Sequence, residues 1–206
     1  RSNLLETEKL TIIQRLSGML KTQQAAIAAT ENVLHSVLEE VPADPIQNAI
    51  IDLFLKHRIG LVTARLRALL FHYKLSTNVR RHLVFQLCRI YVESGRSDAP
   101  GDRNIRVALF DMFIECFRTD GAVDYTKNDN NGIREFILNN FIPALSIGTQ
   151  RPHELQGIIH HLTQLQRETG LEERFREITN TLIPVLKLRY MNLRTISQLS
   201  NLEGEE

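Results

Sequence analysis

Arginine side chains are concentrated in one stretch of the sequence, where they could recognise phosphate or carboxylate groups. Residues 56–106 contain eleven Lys and Arg against three acids, a net charge of +8, while residues 1–55 carry −3 and residues 107–206 carry −4. Nine of the eleven cations are Arg, whose planar guanidinium binds carboxylate and phosphate through two parallel hydrogen bonds. The stretch therefore predicts a basic partner-binding surface. Its predicted residues are Arg58, Arg65, Arg67, Lys74, Arg80, Arg81, Arg89 and Arg106.

Three interpretations of this basic stretch stay open at the level of sequence. It could hold an acidic or phosphorylated segment of another protein, it could bind RNA, or its charges could lie on solvated helix faces and pair with acids of flanking helices. The chain has no Trp, which disfavours a single-strand binder that stacks bases on aromatic rings. We expect Arg80, Arg81, Arg89 and Arg106 to make the main partner contacts.

The metal-binding patterns in the sequence are incomplete. Residues 124–135 suggest a calcium loop, but placing Gly132 at its sixth position puts Lys127 first and Leu138 twelfth, where carboxylates are required. His153 and His160 lie two turns apart on one helix face, with His161 pointing elsewhere, and neither cysteine nor a carboxylate pair accompanies them. We therefore expect surface histidines and no metal site.

The sequence also contains no recognisable catalytic motif and no cysteine that is predicted to be reactive. Cys88 and Cys116 both fall in apolar stripes, which predicts buried small hydrophobes in place of nucleophiles. The sequence contains no Gly-rich phosphate loop, no HExxH, no GxSxG and no kinase signature. We expect no enzymatic activity and no small-molecule cofactor.

Long helices are predicted to position these residues, because only ten Gly and six Pro punctuate 206 residues. Asp44-Pro45 opens one helix, with Asp as N-cap and Pro at the first position, and Ser76 or Thr77 and Asp102 are predicted to cap two others. Apolar residues then recur at helical spacing. The nine predicted helices span 5–20, 23–40, 45–59, 62–75, 77–93, 103–118, 132–147, 153–168 and 171–192.

The helix pattern predicts one all-α domain over residues 1–206. Most connections are short, so successive helices are expected to be antiparallel neighbours that stack as hairpins. Residues 1–44 form a less regular N-terminal hairpin, and residues 201–206 a frayed polar tail. The chain starts with Arg1 and no Met, so we expect a segment of a larger protein.

Two short patterns recur along the chain. The segment Ile142-Pro143-Ala144-Leu145 matches Ile183-Pro184-Val185-Leu186, 41 residues later, and an aliphatic-Arg pair opens helices, as in the IRVAL segment at 105–109. These residues resemble the HEAT and armadillo helical-repeat families. The resemblance implies a right-handed α-solenoid. A compact irregular helical domain is the alternative, since the aliphatic-Arg pairs are too closely spaced and no repeat covers residues 1–44.

A stack of helical hairpins implies a binding function, because one row of its helices lines an extended surface. We expect a protein–protein interaction scaffold in a larger intracellular assembly, in cytoplasm or nucleus, that binds an acidic or helical partner segment. The alternative is an RNA-binding adaptor in mRNA metabolism that uses residues 56–106. No apolar run is long enough for a membrane span.

Overall fold

The computed structural model describes residues 6–19, 36, 40, 43–56, 63–71, 74–97, 99–119, 132–149 and 151–203. Those residues form helices and no strand, apart from one isolated β-bridge between Arg118 and Leu171. The helices are α1 (Glu6–Met19), α2 (Asp44–Lys56), α3 (Thr63–Leu70), α4 (Thr77–Ser94), α5 (Pro100–Glu115), α6 (Ile133–Gly148), α7 (Pro152–Leu165) and α8 (Glu173–Glu203). The predicted all-α class is confirmed.

The described residues contain eight helices, which lie at the positions of eight of the nine helices predicted from the sequence. The predicted helix over 23–40 falls outside the described residues, apart from positions 36 and 40. The candidate calcium loop is likewise outside them as far as residue 131. Within the part of the chain that is described, no helix is both long and apolar enough to cross a lipid bilayer.

Two helices have starts that test the predicted caps. Ser76 caps α4, because its Oγ accepts a hydrogen bond from the Val79 N–H at 3.2 Å. Asp44 is the first residue of α2 and not its cap, and its carboxylate instead accepts a hydrogen bond from Ser76 Oγ at 2.8 Å. A side chain predicted to cap its own helix therefore links two helices.

Two helix boundaries differ from the predicted ones for identifiable reasons. Helix α5 begins at Pro100, so Asp102 lies inside its first turn, because the fixed φ of proline already suits the first helical position. Helix α8 continues to Glu203, well past the predicted end at 192. Nothing stops it earlier, since neither Gly nor Pro occurs between Pro184 and Gly204.

The two Ile-Pro segments lie inside helices. Pro143 is in α6 and Pro184 is in α8, and both are exposed. Proline lacks the N–H that would bond the carbonyl four residues earlier. Because each proline faces solvent, each helix continues through it and still buries its opposite face.

The residues group into two compact units. Unit 1 comprises Arg1–Leu87 with Asn131–Phe136, and unit 2 comprises Cys88–Asn130 with Ile137–Glu206. Helices α4 and α6 contribute residues to both units.

Aliphatic side chains from α2, α3 and α4 fill the core of unit 1. Its most buried members are Ile46, Ile50, Leu70, Val79, Leu83, Val84 and Leu87. Helices α2 and α4 run in the same direction, because Asp44 bonds Ser76 near their starts and His82 Nε2 lies 2.8 Å from Asp52 Oδ1 further along. Helix α3 separates them in sequence, as expected when helices alternate in direction.

Aromatic rings dominate the core of unit 2. Phe141 of α6 lies at its centre, with ring centroids 4.3 Å from Phe113 and 5.8 Å from Tyr91. Past the end of α5, the ring of Phe117 stacks on Phe175 of α8 at 5.2 Å. Such pairs add about 0.5–1.5 kcal/mol each beyond the area that they bury.

Helices α5 and α7 of unit 2 are also parallel. Arg106 Nη2 lies 2.7 Å from Glu154 Oε1 near the start of both helices, and Arg118 Nη1 lies 2.9 Å from Glu168 Oε2 beyond both ends. The Arg118–Leu171 bridge closes the same end. Alternate helices thus share one direction in each unit.

Two glycines bring the ends of α4 and α6 into close contact. A Cβ built on Gly95 would overlap the carbonyl oxygen of Gly148, and one built on Gly148 would lie 2.8 Å from the Tyr91 ring. Backbone atoms cannot move aside as a flexible side chain can. This approach therefore requires that residue 95 has no side chain.

Replacing Gly95 with Ala should lower the free energy of unfolding by about 1–3 kcal/mol through overpacking. Urea titration followed by circular dichroism measures the loss. Gly157→Ala is the matched control, because nothing lies within 4 Å of its added Cβ, and it should raise stability by about 0.5–1 kcal/mol. Equal stability of the two variants would contradict the close approach.

Candidate functional site

The candidate site is built around a buried arginine of α5. The side chain of Arg106 is 5% exposed, and its Nη2 donates to Glu154 Oε1 of α7 at 2.7 Å. Its Nη1 donates to the carbonyl oxygen of Ser94 at the end of α4. A buried guanidinium needs both a counter-ion and hydrogen-bond acceptors, and this one has both.

A second arginine, at the start of α7, also faces Glu154. Arg151 is the N-cap of α7, and its Nη1 lies 3.4 Å from Glu154 Oε1. Arg151 Nη2 also donates to the Ser97 carbonyl at 2.9 Å. The carboxylate therefore lies between two guanidinium groups, one of which bonds the last residue of α4 and the other the turn after it. This network ties that turn to the start of α7.

A groove of about 230 Å³ opens beside this network, between the parallel helices α5 and α7. Its apolar surface comes from Val107 and Phe110 of α5 and from Gly157 and Ile158 of α7. Val107 is 54% exposed, whereas Phe110 is 6% exposed and forms part of the floor. A Cβ at Gly157 would meet nothing within 4 Å, so the missing side chain leaves the space open.

The two ends of the groove differ in charge. Arg103 and His153, both exposed, line it where α5 and α7 begin. That end also carries the partial positive charge of two helix N-termini. Asp111 and His161 line the other end. Because Arg106 and Glu154 neutralise each other, the start of the groove is its cationic end.

The three histidines of α7 differ in whether they line the groove. All three of His153, His160 and His161 are exposed, as expected for surface histidines. The groove, however, combines His153 with His161, and not with His160. The reason is a contact with α5, because the His161 ring packs edge-on against Phe110 with centroids 5.4 Å apart. Among the described residues, no three His, Cys, Asp or Glu side chains are placed to hold a metal ion.

Tyr91 lines the groove from α4 but is not a reactive group. Burial raises the pKa of its hydroxyl to about 12, and the hydroxyl lies 3.2 Å from Thr149 Oγ1. A phenol with that pKa remains neutral at physiological pH. Tyr91 therefore contributes shape and one hydrogen bond.

The four arginines expected to make the main contacts lie in different environments. Arg80 and Arg106 are each 4% exposed, so neither guanidinium lies on the surface. Arg81 is exposed, with its guanidinium carbon 5.3 Å from the centre of the Phe136 ring. Arg89 is 58% exposed and forms an ion pair with Glu93 at 3.4 Å. Arg80 and Arg81 belong to unit 1, and Arg89 and Arg106 to unit 2.

The remaining predicted contacts are in unit 1. Lys74 is exposed and Arg67 is half-buried. Arg58 lies outside the described residues, as does the side chain of Arg65. The groove residues Val107, Gly157 and Ile158 are not among the site residues predicted from the sequence. The available signal was Gly157, a glycine in the interior of a helix, which often has a packing or functional reason.

Both cysteines are buried, as predicted, and neither forms a disulfide bond. Cys88 is 6% exposed and Cys116 is fully buried. Burial raises the pKa of the Cys88 thiol from 9.0 to about 12. Neither side chain reaches the groove.

Comparison with family models, curated proteins and solved structures finds no match to this chain.

Removing one partner of the Arg106–Glu154 pair should be strongly destabilising. We expect Glu154→Leu to lower the free energy of unfolding by about 3–5 kcal/mol, because the Arg106 guanidinium remains buried without its counter-ion. Arg106→Met should cost less, because Arg151 still faces Glu154 Oε1. The double variant should be more stable than Glu154→Leu alone. Chemical denaturation of all four proteins forms the double-mutant cycle, and additive losses would contradict a coupled pair.

Cys88 should resist thiol reagents in the folded protein. At about pH 8 a disulfide reagent such as dithionitrobenzoate should modify neither cysteine until guanidinium unfolds the chain. The folded state also holds the Cys88 proton more tightly, so its contribution to stability is present below pH 9.0 and is lost as the pH rises towards 12. Rapid release of the coloured thiolate from the reagent by the native protein would contradict the burial of Cys88.

Proposed function

We propose that this chain is a protein–protein interaction module of stacked helical hairpins, HEAT-like in arrangement, that holds an acidic segment of a partner protein. The groove between α5 and α7 is the observation that carries the proposal. It combines apolar side chains with a cationic end, and both helices that form it are anchored by buried interactions. The parallel pairs α2/α4 and α5/α7 support the stacked arrangement.

The size of the groove favours a peptide over a small metabolite. Small-molecule pockets usually have volumes of about 300–1,000 Å³ and enclose most of their ligand. At about 230 Å³ the groove suits one or two apolar side chains of a chain that passes across it. Exposed Val107 at its rim would be covered by such a chain.

Charge sets the orientation of the proposed segment. Arg103, His153 and the starts of α5 and α7 favour a carboxylate or phosphate at one end of the groove. An apolar side chain that follows this acidic group would then lie on Phe110 and Ile158. The proposed partner is therefore acidic, with an apolar anchor residue.

A binding function agrees with the environment of the cysteines. Two buried thiols that form no disulfide bond are typical of a reducing compartment, which supports an intracellular location in cytoplasm or nucleus. Exposed Arg81 and Arg89 would extend the basic surface within their own units. The proposal involves no catalytic step and no cofactor.

Peptide selection on the purified protein tests the proposal. Sequences displayed on phage should become enriched in Asp or Glu next to an apolar residue. Synthetic peptides of that kind should bind Gly157→Leu at least about tenfold more weakly than wild type, because the new side chain fills the groove. Fluorescence anisotropy measures both affinities.

Gly157→Ala is the matched control, since it removes the same glycine but leaves most of the groove empty, and it should bind like wild type. Peptides that bind Gly157→Leu and wild type equally would refute the groove as the site. An RNA mobility shift at about 50 mM salt that weakens steeply with added salt would favour the RNA alternative instead.

A further inference from the structure

Helix α8 presents apolar side chains to solvent along its C-terminal half. Val185 is 54% exposed, Leu188 is 61% exposed and Met191 is 63% exposed. Residues spaced by three lie on one side of a helix, so these three side chains form a continuous strip, here named the α8 stripe. Ile196 lies eleven residues, or three turns, after Val185 and so on the same line of the helix, and it is 59% exposed.

The opposite side of the same helix explains why the α8 stripe is not part of the core. Leu182, Ile183 and Leu186 are buried in unit 2. From Lys187 to Gln198 every side chain is at least partly exposed to solvent. The helix therefore leaves the core with two apolar sides, and the α8 stripe is the more exposed of them.

Positive charge borders the α8 stripe on both edges. Residues 178–202 contain Lys187, Arg189 and Arg194 and no acidic residue, although the remainder of residues 107–206 is acidic. At roughly 100° per residue, Arg189 lies along one edge of the stripe, and Lys187 and Arg194 lie along the other. Arg189 Nη2 donates to the Ile147 carbonyl at 3.2 Å, which fixes that guanidinium beside the stripe without neutralising it.

We propose that the α8 stripe binds an acidic amphipathic helix of a partner protein. The apolar side of that helix would cover Val185, Leu188 and Met191, and its flanking Glu or Asp would pair with the bordering cations. From Val185 to Ile196 the stripe is about 16 Å long, which matches about three turns of a partner helix. This surface is separate from the groove and does not depend on the function proposed for it.

Charge and composition also separate this occupant from the alternatives. A second copy that paired stripe to stripe would place three cations against three cations, and juxtaposed like charges oppose association. A membrane-binding helix usually has Trp or Phe on its apolar side and more Lys and Arg around it. The stripe contains no aromatic residue.

Two synthetic helical peptides of about three heptads test the proposal. Both have Leu at positions a and d, and one has Glu and the other Lys at positions e and g. The Glu peptide should bind the full chain at least about tenfold more tightly than the Lys peptide in fluorescence anisotropy. Equal binding of the two peptides, or no binding of the Glu peptide, would overturn the proposal.

Variants of the exposed side chains locate the binding. Leu188→Gln with Met191→Gln, and separately Lys187→Glu with Arg194→Glu, should each weaken the Glu peptide at least about tenfold. Phe85→Gln, which removes an equally exposed apolar side chain in unit 1, and Arg167→Glu should leave its affinity unchanged. Unchanged affinity in both stripe variants would overturn the proposal, and matching circular dichroism spectra verify that all variants are folded.

Three further measurements distinguish the partner helix on the stripe from a peptide in the groove, from a membrane and from a second copy of the chain. Gly157→Leu should bind the Glu peptide like wild type, so that failure of the groove and failure of the stripe remain distinguishable. Vesicles of phosphatidylserine and phosphatidylcholine test for membrane binding. If they bind the wild-type chain but not the Leu188→Gln, Met191→Gln variant, the α8 stripe is a membrane-binding surface and the proposal is overturned. If sedimentation shows that the wild-type chain is a dimer and that the same variant is a monomer, the stripe binds a second copy of the chain and the proposal is overturned.

Discussion

The burial of one guanidinium group determines the geometry of unit 2 around its groove. Arg106 cannot leave water without a counter-ion and acceptors, and it obtains them from Glu154 and from the Ser94 carbonyl. Those two partners belong to α7 and to the end of α4. The requirement therefore fixes the register of α5 against α7, and the space between these helices is the groove.

The class of fold could be predicted from the sequence because each helix has an apolar stripe at helical spacing. The stripes that contain Cys88 and Cys116 lie in the core, as their positions between larger apolar residues indicated. Helix ends were predicted less well. Asp44 and Asp102 have the side chains of N-caps, but neither serves as one. Helix α2 begins at Asp44 itself, and α5 begins two residues before Asp102, at Pro100.

The groove could not be predicted, because charge counted along a sequence contains no information about burial. Arg80 and Arg106 contribute to the +8 of residues 56–106 in the same way as Arg89, yet two of these three guanidinium groups are inside the protein. Arg106 is buried because Glu154, 48 residues away in sequence, lies opposite it. Only tertiary contacts bring such partners together, and the same contacts place Gly157 beside Val107.

The prolines inside α6 and α8 have a consequence for how these helices hydrate. Pro143 cannot bond the carbonyl of Asn139, and Pro184 cannot bond that of Asn180. Helices that lose such a bond on their outer side bend around the core, and the released oxygen is left for water. Each of these two helices thus contains a turn that lacks one backbone hydrogen bond, where backbone amides are expected to open locally while the rest of the helix stays intact.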